Sequence, residues 1–320
     1  MSNLDPVLRP KTLNDIIGLE DTRRRLHISI TAAKARGTQL PHILLVGRPG
    51  TGKTALANAI ANEMGTNFIV VNAATIKNAQ DLFQTFKDIE YCDTIFVDEV
   101  HSLPKAVQEF LLTAMESYRL DIPFGRSRII SSMDIEPFTL IGATTHPGKL
   151  GDAFKARFRI KEQLAPYTLE NIANIIGFYA EKLQLPIQHE AALYIASKSR
   201  TIPRLSVDYL LWIRDYAMFH NEKEVTVKVA KEAMREQGID EYGFNIYDRR
   251  YLRVLYYTYS GGPCGIKALS NTLIIAEETL SNDVEPYLLE CGLIIRGPNG
   301  RSLSSDGIKI AKKLTQQKHE

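Results

Sequence analysis

Features that mark several protein classes are scarce in this sequence. Its 320 residues include only three cysteines, which are far apart and form no C-x-x-C pair, and this argues against a disulfide framework and a cysteine-based zinc site. No apolar run approaches the roughly 18 residues that span a bilayer, and the first residues lack the charged and apolar parts of a signal peptide. Lysine and arginine total 39 against 37 aspartates and glutamates, which argues against a histone-like polycation. We therefore expect a cytoplasmic protein with no membrane partner.

The first half of the chain alternates short apolar runs with helical patterns. The runs predict strands at residues 42–47, 68–72, 94–98 and 138–144, and the patterns between them predict helices at 55–64, 81–89 and 105–118. Strands that are apolar on both faces and alternate with helices are typical of a parallel sheet covered on both sides. This half is therefore predicted to be an α/β domain.

After Pro166 the pattern changes to helices alone, predicted at residues 169–183, 190–199, 203–219 and 227–237. Further helices are predicted at 247–259, 266–273 and 284–291, before two apolar runs at 293–295 and 302–304. The segment Gly297-Pro298-Asn299-Gly300 between these runs has the composition of a tight turn. Helices followed by a hairpin predict a winged helix. We divide the chain into domains at residues 1–167, 168–240 and 241–320.

Residues 47–54, with the sequence GRPGTGKT, fit the phosphate-loop pattern G-x-x-x-x-G-K-[ST] between a predicted strand and a predicted helix. Gly50 and Gly52 let backbone N–H groups approach phosphates, and the helix from Ala55 directs its positive dipole end toward them. Lys53 supplies a positive charge for the β- and γ-phosphates. The alternative interpretation is a glycine-rich turn with an exposed lysine.

Acidic and hydroxyl residues at strand ends complete a candidate nucleotide site. Asp98 and Glu99 follow the third predicted strand. Asp98, with the hydroxyl of Thr54, would hold Mg²⁺, and Glu99 would polarise the attacking water. Thr145 follows the fourth predicted strand, where a polar side chain can orient the water near the γ-phosphate. Each of these residues alone would be an ordinary strand end, so their interpretation depends on the phosphate loop.

Two arginines are candidates for a role at the γ-phosphate. Arg157 lies shortly before the predicted helical domain, and Arg204 follows Pro203 at the start of a predicted helix. A guanidinium beside the γ-phosphate stabilises transition-state charge, which is worth about 10³–10⁵ in rate where such fingers have been measured. The alternative for each is an ordinary surface arginine.

Taken together, these motifs resemble the RuvB family of AAA+ motors, which drive branch migration of Holliday junctions. The resemblance covers nearly the whole chain in order and includes Arg9-Pro10-Lys11, Ile17-Gly18, the phosphate loop, Asp98-Glu99-Val100-His101, Ala114-Met115-Glu116, residues 138–145, Pro203-Arg204, Gly261-Gly262-Pro263 and Glu285-Pro286-Tyr287-Leu288. It implies an AAA+ P-loop domain with a parallel sheet, a small all-α lid domain and a C-terminal winged helix. It also implies a six-membered ring around duplex DNA, with ATP at the subunit interfaces.

The resemblance further implies roles for individual residues. Thr145 corresponds to the sensor-1 residue, Arg204 to the sensor-2 arginine, and Arg157 to the finger that reaches the ATP of a neighbouring subunit. Arg296 and Arg301 correspond to DNA-contacting residues of the wing. The remaining positions that match the nucleotide site or its surroundings are Leu8, Arg9, Ile17, Glu116, Tyr118 and Tyr167.

The chain departs from the usual family pattern at several positions. Lys155 and His146 stand where the family usually has arginine, and Asn299 replaces a usual arginine of the wing. Residues 121–137, which in the family form an apolar hairpin that docks on RuvA, are shorter and more basic here. These residues are the candidate surface for a RuvA-like adaptor.

We therefore predict an ATP hydrolase that uses ATP and Mg²⁺ to drive branch migration of Holliday junctions, as a DNA-dependent translocase or helicase. A first alternative is an AAA+ assembly factor or loader, in which the nucleotide acts as a switch for a protein partner. A second alternative, a winged-helix DNA binder with an inactive ATPase, conflicts with the intact set of Lys53, Asp98 and Glu99.

Overall fold

The structure, a computed structural model, describes residues 10–124 and 129–316. Its strands are β1 Ile43–Val46, β2 Phe68–Asn72, β3 Thr94–Asp98, β4 Arg119–Phe124, β5 Ile129–Asp134, β6 Thr139–Thr144, β7 Ile160–Gln163, β8 Ile294–Gly297 and β9 Gly300–Leu303. Its α-helices in the first part of the chain are α1 Glu20–Arg36, α2 Lys53–Met64, α3 Gln80–Lys87, α4 Lys105–Ser117, α5 Asp152–Arg157 and α6 Leu169–Lys182. Those that follow are α7 His189–Lys198, α8 Pro203–Phe219, α9 Val227–Glu236, α10 Ile246–Tyr257, α11 Ile266–Leu273, α12 Glu277–Thr279, α13 Glu285–Glu290 and α14 Ser305–Gln316. Within these ranges no helix combines the length and the apolar character needed to span a membrane.

The first compact unit, which runs to Leu183 and includes Thr201–Asp208, is built on a five-stranded sheet. The strand order is β2-β3-β6-β1-β7, and all neighbouring strands are parallel. Alternate side chains of β3 enter different hydrophobic clusters: Phe96 packs in one, and Ile95 and Val97 pack in the other. Because both faces of the sheet are covered, the inner positions of β1 and β3 are apolar. The predicted α/β fold with a parallel sheet is confirmed.

Strand order determines where the functional side chains meet. β3, β6 and β1 are adjacent and parallel, so their carboxyl ends lie along one edge of the sheet. The phosphate loop follows β1, the acidic pair ends β3, and Thr145 follows β6. Open parallel sheets bind ligands at this edge. The fold thus brings together three segments that are distant in sequence.

Strand β7 and helix α1 were not predicted from the sequence pattern. The β7 sequence, IKEQ, is polar, and the strand forms by pairing with β1 at the edge of the sheet. Its buried residue is Glu162, which accepts hydrogen bonds from Thr22 Oγ1 (2.9 Å) and Arg25 Nε (2.8 Å) of α1. Interactions with neighbouring elements, rather than intrinsic hydrophobicity, therefore account for this strand.

A β-hairpin projects from the end of α4. β4 and β5 pair antiparallel, with Arg119 opposite Asp134, and the two side chains form an exposed ion pair with an Nε–Oδ1 distance of 3.0 Å. This hairpin occupies most of residues 121–137, the segment where the family places a hairpin. Residues 125–128 at its turn lie outside the described ranges.

The second compact unit contains Gln184–Arg200 and the chain from Tyr209 onward. Its carboxyl-terminal part has helices α10 to α13, the antiparallel hairpin β8–β9 and the final helix α14. A π-helical segment, Leu280–Val284, precedes α13, and the buried residues of α10, α11, α13, α14 and the hairpin form one core cluster. The predicted winged helix is confirmed, and α14, which was not predicted, completes its core.

Candidate nucleotide site

The phosphate loop has a backbone that requires glycine. Gly50 has φ +76°, and a Cβ atom added there would lie 2.7 Å from Cγ2 of Ile202. Gly52, with φ +88°, is the N-cap of α2, which begins at Lys53 rather than at the predicted Ala55. The first backbone N–H groups of α2 therefore face the loop, where an anion would receive their hydrogen bonds and the helix dipole.

Lys53 is buried inside this loop, with 6% of its surface exposed. Its ammonium group donates to the carbonyl oxygens of Gly47 (2.9 Å) and Arg48 (3.1 Å). Burial lowers the pKa of Lys53, while the nearby charges of Glu99 and Asp98 oppose that shift. The alternative of an exposed lysine on a glycine-rich turn is therefore wrong. A phosphate beside this ammonium would favour its charged form.

The acidic pair lies at the end of β3, next to this loop. Burial and the adjacent charge of Glu99 raise the pKa of Asp98, and the charge of Lys53 opposes the rise. Glu99 has a left-handed backbone with φ +49°, and its N–H donates to Asp98 Oδ1 (3.1 Å). This left-handed residue follows the last residue of β3, Asp98. Two neighbouring carboxylates with a lysine nearby form a site that a divalent cation would stabilise.

A network of polar side chains holds Glu99. Its Oε2 accepts from the backbone N–H (3.3 Å) and the hydroxyl (3.1 Å) of Thr145, and lies 3.1 Å from His101 Nδ1. Thr145 Oγ1 also lies 2.8 Å from His146 Nδ1. The sequence favours a structural histidine at His101 over a polar relay to a neighbouring subunit, and it indicates no role for His146. Both lie within three residues of the ends of adjacent parallel strands, and that shared position is the signal that could have identified them.

The predicted surroundings of the base meet beside the same loop. Tyr167 is buried and donates its hydroxyl to the carbonyl of Thr51 (3.2 Å) in the phosphate loop. Burial raises the pKa of Tyr167, so the phenol remains protonated. Gly18 packs against the Tyr167 ring so closely that a Cβ would lie 3.2 Å from two ring carbons, and Ile17 beside it is half-buried. Leu8 and Arg9, which were predicted here, lie outside the described residues.

Arg204 also contacts the loop, through its backbone. Its N–H donates to the carbonyl of Gly50 (3.3 Å), and its Cβ would lie 3.2 Å from a Cβ at Gly50. Arg204 is exposed, so its side chain is accessible to a nucleotide. The predicted sensor-2 position thus adjoins the phosphate loop.

Glu116, Tyr118 and Arg157 lie elsewhere, near the amino ends of the strands. Arg157 forms an ion pair with Glu116, at the end of α4. The carbonyl of the adjacent Met115 lies 3.3 Å from Nε2 of His42, the residue before β1. The length of β1, roughly 13 Å at 3.3 Å per residue, separates this edge from the phosphate loop. The structure therefore does not bring these three predicted residues to the loop of the same chain.

The two predicted DNA contacts of the wing differ from each other. Arg296 is exposed near the tip of the β8–β9 hairpin. Arg301, opposite it in register, is 8% exposed and donates through Nε (2.8 Å) and Nη2 (3.2 Å) to the buried carboxylate of Glu285. This ion pair occupies the Arg301 guanidinium, which departs from the expected phosphate contact. Of the two residues, Arg296 alone presents its side chain to solvent.

The residues around the loop fit a magnesium–nucleotide complex. Thr54 is exposed at the start of α2, and Asp98 is part-buried next to Lys53. A hydroxyl and a carboxylate are hard oxygen ligands of the kind that Mg²⁺ prefers. The glycine-lined loop and the buried ammonium provide the complementary site for phosphates. A parallel sheet with this loop after β1 and an acidic pair after β3 defines a P-loop nucleoside triphosphatase.

Comparisons with known proteins identify the family. Family models described as the Holliday junction DNA helicase RuvB P-loop domain, the RuvB AAA lid domain and the RuvB C-terminal winged helix domain match residues 8–164, 167–240 and 241–312. The chain is 42% identical over 300 residues to the Holliday junction branch migration complex subunit RuvB of Kosmotoga olearia, covering 93% of this chain and 88% of the relative. The corresponding protein of Rhodopirellula baltica is 39% identical over 93% of this chain and 82% of the relative.

A solved structure of the Thermotoga maritima RuvB Holliday junction branch migration motor is similar over 95% of this chain and 98% of that chain, with a TM-score of 0.85 and 36% sequence identity. The chain belongs to the RuvB family. The resemblance seen in the sequence is thereby confirmed.

Proposed function

We propose that this protein is a cytoplasmic ATP-driven motor that moves Holliday junctions or duplex DNA. The observation that carries the proposal is the buried Lys53 in its phosphate loop, next to Asp98 and Glu99, in a chain that matches RuvB along nearly its whole length. The proposed domains are an ATPase domain at residues 1–167, a lid at 168–240 and a DNA-binding winged helix at 241–320. The intact phosphate loop and acidic pair speak against a DNA binder with an inactive ATPase.

The proposed reaction is hydrolysis of ATP. Lys53 and the first N–H groups of α2 bind the phosphates, and Tyr167 and Ile17 border the base. Thr54 and Asp98 would hold Mg²⁺, which when bound would neutralise charge on the phosphates. Glu99 orients the attacking water and accepts its proton, and Thr145 holds Glu99 in place. Arg204 senses the γ-phosphate from the start of α8.

We further propose that the site is completed by a second copy of the chain. Arg157 and Glu116 lie at the edge opposite the phosphate loop, so within one chain they cannot reach its nucleotide. A head-to-tail interface would place them against the loop of a neighbour, and such interfaces generate rings when the rotation closes. A hexameric ring around duplex DNA is the proposed assembly. The β4–β5 hairpin is the proposed surface for a RuvA-like adaptor.

The wing is the proposed contact with DNA, and its two arginines are expected to behave differently. Arg296→Ala should remove one phosphate contact per subunit, which lowers the slope of log affinity against log salt by about 0.9. Arg301→Ala should destabilise the winged helix by about 3–5 kcal/mol, because it leaves the Glu285 carboxylate buried without its partner. Salt-dependent DNA binding and urea unfolding of both variants measure these effects. Equal behaviour of the two variants would contradict the assignment.

Branch migration of a labelled junction with homologous arms tests the function directly. The wild-type protein, with ATP and Mg²⁺ at stated salt, should resolve the junction into duplexes, with and without a RuvA-like adaptor as separate arms. Lys53→Ala should remain folded and fail in every arm. A protein that hydrolyses ATP without any response to junction or duplex DNA would instead support the loader alternative.

A further inference from the structure

One oxygen of the Glu99 carboxylate receives all the hydrogen bonds described for that group. Oε2 accepts from Thr145 N (3.3 Å) and Thr145 Oγ1 (3.1 Å), and His101 Nδ1 lies 3.1 Å away. Across residues 10–124 and 129–316, no described side chain or backbone group donates to the other oxygen, Oε1. The Glu99 side chain is 36% exposed, so water can reach it. The carboxylate is thus held by one oxygen and left open at the other.

The contact with Glu99 favours a proton on Nδ1 of His101. His101 Nδ1 lies 3.1 Å from Glu99 Oε2, and because an ionised carboxylate only accepts hydrogen bonds, a protonated Nδ1 is the form that suits this contact. The same nitrogen is hydrogen-bonded to Thr144 Oγ1 (3.0 Å), so its proton would be shared between Thr144 and Glu99, and Thr144 Oγ1 also accepts the backbone N–H of His146 (3.0 Å). The His101 side chain is 10% exposed, and burial lowers its pKa. A neutral His101 with the proton on Nδ1 satisfies these contacts.

A second path of donors reaches the same oxygen through Thr145. Its hydroxyl has a single proton, which is directed to Glu99 Oε2. His146 Nδ1, 2.8 Å from that hydroxyl, must then donate to it. The centroids of the His101 and His146 rings lie 4.9 Å apart. Connected donors polarise one another, and such networks make one orientation of the carboxylate preferred.

We infer that His101 is a positioning residue for ATP hydrolysis: its Nδ1–H fixes Glu99 by Oε2 so that Oε1 faces the attacking water. This inference rests on the proposed function, because it assumes that Glu99 activates water. The left-handed backbone at Glu99 directs the carboxylate toward the end of β6, where both histidine contacts form. His101 acts through Glu99 and has no proposed contact with the nucleotide.

Two substitutions of His101 distinguish the effect of where its N–H donor lies from the effect of side-chain size. Asparagine can place an amide N–H near the position of Nδ1, whereas glutamine places its amide near Nε2. His101→Gln should lower kcat for ATP about 10- to 100-fold, since a base misplaced by about 1 Å costs rate of this order. His101→Asn should recover most of that loss, to within about threefold of the wild type. ATP affinity should change less than about threefold in both variants, because neither alters the phosphate loop.

The experiment measures kcat, KM, ATP affinity and unfolding temperature for the wild type, H101N, H101Q and E99Q, with H27Q on the exposed face of α1 as the matched control. H101Q with wild-type kcat overturns the inference, as does an H101N that loses as much rate as H101Q. Loss of ATP affinity or folding in both variants overturns it in favour of a structural role. If the wild type shows no turnover, or E99Q matches it, the proposed function fails instead.

Discussion

The two edges of the parallel sheet differ in how complete they are. At the carboxyl ends of the strands, the loop before α2, the acidic pair after β3 and the network around Thr145 form a site for a triphosphate. At the amino ends, Arg157 is paired with Glu116, and the phosphate loop is the length of a strand away. Residues that all match one nucleotide site therefore cannot all serve a single nucleotide within one chain. The difference supports the proposed division of the site between copies.

Lys53 and Arg157, the cations at the two edges, differ in exposure. The difference suits one to binding within the chain and the other to contact with another molecule. Lys53 is 6% exposed, and its ammonium group donates to loop carbonyls. The Arg157 side chain is 47% exposed and has an acidic partner that is itself 35% exposed. A buried, oriented ammonium suits binding within the chain. A guanidinium at the surface can leave Glu116 and contact another molecule, since an exposed ion pair is worth only about 0–1 kcal/mol.

The largest expected effect concerns the edge that carries Arg157. Arg157→Ala should lower ATP turnover about 10³- to 10⁵-fold, because it removes the cation proposed to stabilise transition-state charge. ATP affinity of the isolated subunit should be unchanged, since Arg157 lies at the opposite edge from the phosphate loop. Arg159→Ala, at an exposed position two residues away, is the matched control. Equal ATP turnover in the Arg157 and Arg159 variants would contradict a role for Arg157 in hydrolysis.

A smaller effect, on the pH dependence of stability, is expected from His42, which lies at the same edge of the sheet as Arg157. Its Nδ1 accepts from Leu140 N (2.9 Å), its Nε2 faces the carbonyl of Met115, and burial lowers its pKa to about 4. As the pH falls, His42 is protonated in the unfolded chain before it is protonated in the folded chain. The contribution of neutral His42 to the free energy of unfolding is therefore complete above about pH 6.5, and about 3 kcal/mol of it is lost as the pH falls toward 4.

Urea unfolding at pH 7 and pH 4.5 measures this loss in the wild type and in His42→Gln. The variant lacks the titrating group, so its stability should fall less between the two pH values. The same pH dependence in both proteins would show that His42 does not contribute to it.

The smallest expected effect concerns the phosphate loop. Gly50→Ala should weaken ATP binding about tenfold, because the left-handed backbone costs an alanine about 1–2 kcal/mol and its Cβ would meet Ile202. Gly148→Ala is the matched control, since a Cβ there meets nothing within 4 Å. Isothermal titration with ATP compares the two. A Gly50 variant with wild-type affinity would contradict the geometry of this loop.

Much of the carboxyl-end site could be predicted because its residues follow strands with strong patterns. Strands β2 and β3 have the predicted bounds, and the sheet is parallel as predicted; its strand order, which was not predicted, places the ends of β1, β3 and β6 together. The spacing of glycines and lysine in residues 47–54 reflects a local backbone requirement, so it can be recognised without tertiary information.

The remainder depends on contacts that local patterns do not contain. β7 is polar and is determined by β1 and α1. The pairing of Arg301 with Glu285 depends on the packing of a wing on a helix, and a motif match cannot distinguish this buried arginine from the exposed Arg296. His101 and His146 are 45 positions apart and meet only because β3 and β6 are neighbours in the sheet.

Mixing two inactive variants tests most directly whether the site is shared. Arg157→Ala subunits retain the phosphate loop, and Lys53→Ala subunits retain the finger. In an equal mixture about one quarter of interfaces should combine an intact loop with an intact finger, if assembly is random and head-to-tail. We expect ATP turnover to return on mixing, toward that fraction of the wild-type rate. If both variants fold and self-associate, yet their mixture stays as inactive as each alone, the division of the site between copies is contradicted.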